Sequence, residues 1–479
     1  MRILAAINEN ERIGWGLIIA GTFVLATNVV NVRIATASCM VLWFSYLLNH
    51  ATTRIFCFQR VTIMSFWYWS YLAMIFIPAF CVYADQGGPS RETYLLAVES
   101  VLLSVPLGAL VISRVLRFGL REEELFFRMP PCASRSGPRL IRLYKFLLLV
   151  AFGLTAFYLT EVKTIPLLYL IQHPGEHLQL ALLREDALKL LDSNFSYAYG
   201  ILGGVLFPFL ILISLGFYLH TKRKPWRRLF LLSLFAGIFY ASLTIAKSPV
   251  AAIFLMVALF MYFYRGGTIS WKVLAGFLIL ILVFPLAVVL GISFGTDIGV
   301  PQALAAIGTR LFYRPSEVLY YYFEVFPSHV GYLHGRSVGK LAWLLGSRYF
   351  DTPNFVGVYG FKGPETLDTI SANAAFIGNL NADFGMWGVL LGGVLAGAIM
   401  QATHVHLVRR RKSIPVLACY AFLVFAFWNL QNTALPVVLA TDGVILSLVL
   451  YRMFEARTLP GPKSAVDLSQ FLTPSPEQH

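Results

Sequence analysis

Apolar runs of about twenty residues recur along the chain, and they constrain it more than any other feature. "GWGLIIAGTFVLATNVV", "FLILISLGFYL", "GVLLGGVLAGAIM" and "IPVLACYAFLVFAFW" contain no acidic or basic residue. A helix satisfies its own backbone polar groups, rises about 1.5 Å per residue and crosses a hydrocarbon core of about 30 Å in about 20 residues. The rest of the chain cannot cover a water-facing surface. Of 479 residues, 58% are hydrophobic and 13% charged, where soluble domains carry about 25% charged residues. The mean hydropathy is +0.70. The expected fold class is an all-α polytopic integral membrane protein.

About twelve spans are expected. The first nine fall near Ile13–Val30, Arg33–Leu48, Ile63–Tyr83, Tyr94–Leu116, Leu143–Thr160, Tyr197–Leu219, Leu229–Ala246, Pro249–Tyr264 and Trp271–Phe294. The last three fall near Phe384–His406, Ile414–Leu430 and Leu435–Arg452. The first run is longer than a signal-peptide core and lacks a clear cleavage site, so it is read as retained.

The net charge of +14 follows from where the cations sit. The loop after span four carries Arg117, Arg121, Arg128, Arg135, Arg139 and Arg142; the loop after span six reads "TKRKPWRR"; the loop after span ten reads "RRRK". With twelve spans all three fall on one side, which the positive-inside rule makes cytoplasmic, with both termini. Membrane lipid, and no nucleic acid, is then the expected partner of this charge. The transmembrane domain is expected over 1–456, with two long outer loops at 161–196 and 295–383 and a disordered tail at 457–479. "GEHLQLALLREDALKLL" in the first loop has the leucine spacing of an amphipathic surface helix.

Several motifs are excluded. Cys39, Cys57, Cys81, Cys132 and Cys419 lack CxxC spacing, which argues against a disulfide framework or zinc site. HExxH does not occur, and neither metal nor cofactor is expected. "GRSVGK" at Gly335–Lys340 has three residues where a nucleotide phosphate loop has four, and Leu341 follows it. Its backbone and Arg336 remain able to meet another anion.

Candidate site residues gather on the expected outer side. Lys247 in "TIAKSPVAA" sits between two spans, either as an anion clamp or snorkelling to the interface. Arg310 and Arg314 are four apart and share a helix face; their guanidinium forks suit phosphate oxygens. Tyr320, Tyr321 and Tyr322 offer ring faces for sugars. Glu324, His334 and Asp383 are candidate proton acceptors; His329 lies in the same loop. Asn373, Asn379 and Asn381 carry amides that both donate and accept, as sugar hydroxyls require. Asp383 also suits the start of a helix. After it, Gly388 with Gly392 and Gly393 with Gly397 are pairs four apart, which let helices approach closely. Asn429 and Asn432 recur at the end of span eleven.

From about Tyr197 to Arg452 the chain resembles the oligosaccharide repeat-unit polymerases, the Wzy-type O-antigen and exopolysaccharide polymerases. The resemblance rests on the span count, the large late outer loop, the Asn/Asp stretch leading into a Gly-rich span, "TIAKSPVAA", and Arg310 with Arg314. The family more often has Arg where Lys247 stands. The resemblance implies a GT-C-like, metal-independent glycosyltransferase of the bacterial inner membrane. It would transfer a growing glycan from undecaprenyl pyrophosphate to the terminal sugar of another lipid-linked repeat unit. A flippase and a chain-length regulator are the implied partners. Lys247, Arg310, Arg314 and Arg336 would neutralise the departing pyrophosphate, with Glu324, His334 or Asp383 as base. Two alternatives stand beside it: an O-antigen ligase-like transferase and a lipid-linked oligosaccharide flippase.

Overall fold

A computed structural model gives the fold and describes residues 2–50, 60–132, 137–162, 164–173, 204–243, 247–268, 299–361 and 371–458, with isolated residues at 183, 200 and between 275 and 290. Among the described residues it is all-helical. Among the described residues eight helices are long and apolar enough to cross a membrane: Arg12–Val29, Ile63–Asp85, Ser90–Val115, Pro138–Glu161, Gly204–Thr221, Phe376–Val408, Ile414–Gln431 and Leu435–Thr458. Val32–Leu48 and Pro249–Tyr264 are apolar but shorter. An eleventh expected run corresponds to the helix Lys224–Ser242, which opens on the cations of "KPWRR". The expected span Trp271–Phe294, apart from isolated residues, lies outside the described residues, as do most of 175–191 and all of 459–479. Arg457 and Thr458, expected in the tail, belong to the last helix.

Local chemistry sets several boundaries. Thr62 and Ser65 form a reciprocal capping box that starts the helix at Ile63. The Asn31 carboxamide accepts from the Ile34 N–H at 2.9 Å, capping the second helix after a two-residue turn. Pro138, Pro315 and Pro415 stand in first turns, where a missing N–H costs nothing.

The glycine pairs of the long helix Phe376–Val408 do two different things. A Cβ on Gly393 or Gly397 would strike Ser104 or the Val105 carbonyl, and one on Gly108 would strike the Val394 carbonyl. The helices Ser90–Val115 and Phe376–Val408 therefore meet backbone to backbone along one seam. Gly388 and Gly392 instead receive Leu380 of their own helix. Eight and twelve residues along a straight helix would put Leu380 about 12 and 18 Å away. The chain folds back at Gly385, whose φ of 61° and ψ of −153° are not helical. Tyr332 packs where a Cβ would stand, so both backbone and space require glycine there.

This reversal corrects the reading of the Asn-rich stretch. Asn379, Asn381 and Asp383 do not lead into the mouth of a span. They lie on a short helical limb folded against it, and are buried at 8%, 3% and 3% exposure. Where it is described, the expected outer loop 295–383 carries its own structure, including the helix that "PSEVLYYYFEVF" suggests. Its described part forms Val300–Gly308, Arg314–Val325, Gly339–Leu344 and Thr352–Gly360, with Leu319, Tyr322 and Val325 fully buried.

The opposite helix ends carry the basic loops and are tightly tied. Arg409 donates to both Glu122 carboxylate oxygens, at 2.8 and 3.2 Å, and to the Leu116 carbonyl at 2.8 Å. Buried Lys412 donates to the Phe127 and Met129 carbonyls at 3.0 and 2.8 Å. His404 lies between the Tyr420 hydroxyl at 2.8 Å and the Glu123 carboxylate at 3.4 Å.

Candidate active site

A cavity of about 1070 Å³ opens at the helix ends opposite the basic loops. It is bounded by the starts of Gly204–Thr221 and Lys247–Tyr264, the ends of Lys224–Ser242 and Ile414–Trp428, and the segments around Arg310, Asn373 and Asp442. Its lining combines apolar Phe207, Ile253, Met256, Phe422 and Phe425 with polar Arg310, Arg314, Asn373, Asn429, Asn432 and Asp442.

Irregular backbone converges on this cavity. Met74 belongs to a π-helical turn, Leu72–Phe76, within the third span, and Arg310 to a second, Thr309–Tyr313. Pro208 interrupts the bonding of a third helix. The last span breaks between Leu435–Ala440 and Val444–Thr458, and the break presents Thr441 and Asp442. In a bilayer, irregular backbone is tolerated where it is packed in protein or lines a cavity, and π-turns concentrate at functional sites.

The two arginines differ in their partners. Arg314 bonds Glu317 at 2.6 Å and lies over the Phe361 ring at 5.3 Å. Among the described residues Arg310 is exposed to the cavity with no carboxylate partner. Beside it the Tyr313 hydroxyl donates to Asp85 at 2.7 Å; burial, then Asp85, push this phenol well above its usual value. Asp442 accepts from the Asn429 amide at 3.1 Å and is the single carboxylate among the described lining residues.

Sequence reasoning brings Arg310, Arg314 and Asn373 to this cavity, with Asn429 and Asn432. Its other candidates, Lys247 apart, lie elsewhere. Lys247 is the first residue of its helix, two before the cavity-lining Pro249; its side chain lies outside the described ones. Arg336 is exposed and donates to the Arg348 carbonyl at 3.2 Å. Tyr320 and Tyr322 are buried, edge-on to Tyr94 and bonded to the Ala372 carbonyl respectively, so neither offers a face to a sugar. Tyr321 is half-buried against Phe361. Asn379 and Asn381 do not line the cavity; Asn381 donates to the Phe326 carbonyl at 3.4 Å.

None of the three proposed bases reaches the cavity. Glu324 accepts from Tyr359 at 3.3 Å, and that hydroxyl also meets His329 at 2.9 Å. His334 is exposed with a φ of 52°, its backbone N–H donating to the Asp383 carbonyl. Asp383 is filled from the glycine loop: the Gly335 and Ser337 N–H groups donate at 2.9 and 3.2 Å and the Ser337 hydroxyl at 2.5 Å. The anion met by the "GRSVGK" backbone is the protein's own carboxylate.

Asp442 was missed because it lies inside an expected span. The signal was there: "ATDGV" puts a charge and a glycine into an otherwise apolar run. No protein-family model, curated protein or solved structure matches the chain. The site's meaning rests on its geometry.

Proposed function

We propose that the chain is a polysaccharide polymerase of the bacterial inner membrane, with both termini cytoplasmic and its cavity facing the periplasm. It extends glycans by transferring the growing chain from undecaprenyl pyrophosphate to the terminal sugar of another lipid-linked repeat unit. One observation carries this reading: a single cavity joins apolar side chains, an arginine without a carboxylate partner among the described residues, a second arginine and three asparagines. Such a lining suits a ligand with a lipid tail, an anionic linker and sugar hydroxyls in sequence. Its position opposite the basic loops agrees with an outward-facing site. Guanidinium groups aimed at a departing pyrophosphate stabilise charge that develops in the transition state, without a nucleotide donor.

The test is extension of a defined undecaprenyl-pyrophosphate-linked repeat unit by the purified full-length protein in vesicles. A ladder of longer lipid-linked chains is expected. Glycan moved to a different carrier, or units carried across the bilayer without extension, would sink the proposal in favour of a ligase or a flippase.

A further inference from the structure

We infer that Asp442, presented by the break in the last span, is the proton acceptor for the attacking sugar hydroxyl. This rests on the polymerase reading and assigns its missing base.

The break sets Asp442 in place. The helix Leu435–Ala440 ends with the Thr441 and Asp442 N–H groups both donating to the Val437 carbonyl, at 2.7 and 3.0 Å. Gly443 follows with a φ of 88°, and the Val205 side chain fills the space a Cβ would need. A left-handed glycine pressed against a neighbouring helix fixes the direction of the residue before it. Asn429, in a short turn at the end of Ile414–Trp428, holds one carboxylate oxygen, Oδ2. Among the described residues the other oxygen has no hydrogen-bond partner, and the residue lines the cavity that holds Arg310 and Arg314. A carboxylate within a membrane span is costly to keep, and a half-satisfied one costs more. A general base needs this arrangement: one oxygen anchored, the other open to a hydroxyl.

The step balances without a redox partner. The acceptor O–H proton passes to Oδ1 of Asp442, and the freed electron pair forms the new bond to the donor's anomeric carbon. The bond from that carbon to the pyrophosphate oxygen breaks, and its electron pair leaves on the pyrophosphate, beside Arg310 and Arg314. Asp442 then returns its proton to water.

Asp442→Asn preserves volume and can still accept from Asn429, while removing the proton acceptor. In vesicles holding the lipid-linked repeat unit, D442N should extend chains at least ~100-fold more slowly than wild type. Neither its affinity for undecaprenyl pyrophosphate nor its melting temperature should fall. Asp442→Glu should recover part of the rate. An undiminished D442N rate beside an active wild type overturns this inference alone. So does a D442N protein that loses affinity or stability in step with rate, since the residue is then a brace. A wild-type protein that does not extend chains overturns the polymerase reading and the inference with it.

Discussion

Both ends of the helix bundle carry charge, but they use it differently. At the basic-loop end Arg409 is answered by Glu122, Lys412 by two carbonyls, and the His404 ring by Glu123 and Tyr420. At the cavity end Arg310 has no carboxylate partner among the described residues, and Asp442 has one oxygen open. Satisfied groups hold a structure together; groups left open in a cavity can accept a ligand. The seam of Gly108, Gly393 and Gly397 runs between the two ends.

The contrast can be broken by substitution. The largest effect is expected from Arg310→Ala, which should lower chain extension ~100- to 1000-fold, the cost of removing one donor to a developing anion, with no change in melting temperature. Arg310→Lys should recover part of it, since a point charge replaces a fork. A normal product ladder from R310A would remove the arginine from the site.

Asp383→Ala comes next. It leaves the Gly335 and Ser337 N–H groups buried without an acceptor and should destabilise the protein by about 2–3 kcal/mol. Chemical unfolding measures this; a change within about 0.5 kcal/mol would show that the loop finds other partners.

Glu123→Gln should cost about 1–2 kcal/mol of stability while extension by the folded fraction stays at the wild-type rate. Lost extension with an unchanged melting temperature would erase the distinction between the ends.

The smallest effect is a pH slope. Burial pushes the Lys412 ammonium down to about 8 from its ordinary 10.5. Between those values the unfolded chain binds more protons than the folded one, so stability should rise with pH from about 8 to 10.5. Lys412→Met should lack that component. Parallel melting curves for the two proteins across this range would contradict it.

The sequence makes the membrane class legible because hydropathy reports each span locally. It also points to the cavity arginines, since cations flanking a span are conspicuous. The fold-back at Gly385 is not legible: one glycine among five looks like packing, and nothing in hydropathy reveals a reversed chain. With that reversal unseen, Asn379, Asn381 and Asp383 looked like the rim of a site. Tyr320 and Tyr322 were misread for a related reason. They belong to the helix Arg314–Val325, which packs into the main core, and a long polar-looking loop does not announce burial. Asp442 was passed over because an apolar average hides one charged residue.

The loop at Gly335–Ser337 has a consequence for competition. Its anion is tethered through the chain, so it faces the N–H groups at an effective concentration of millimolar or more. Free phosphate must outcompete a neighbour that never diffuses away. The sequence that looks like a phosphate cradle is therefore closed to phosphate, and in the proposed polymerase a lipid-borne pyrophosphate would be left to the arginines.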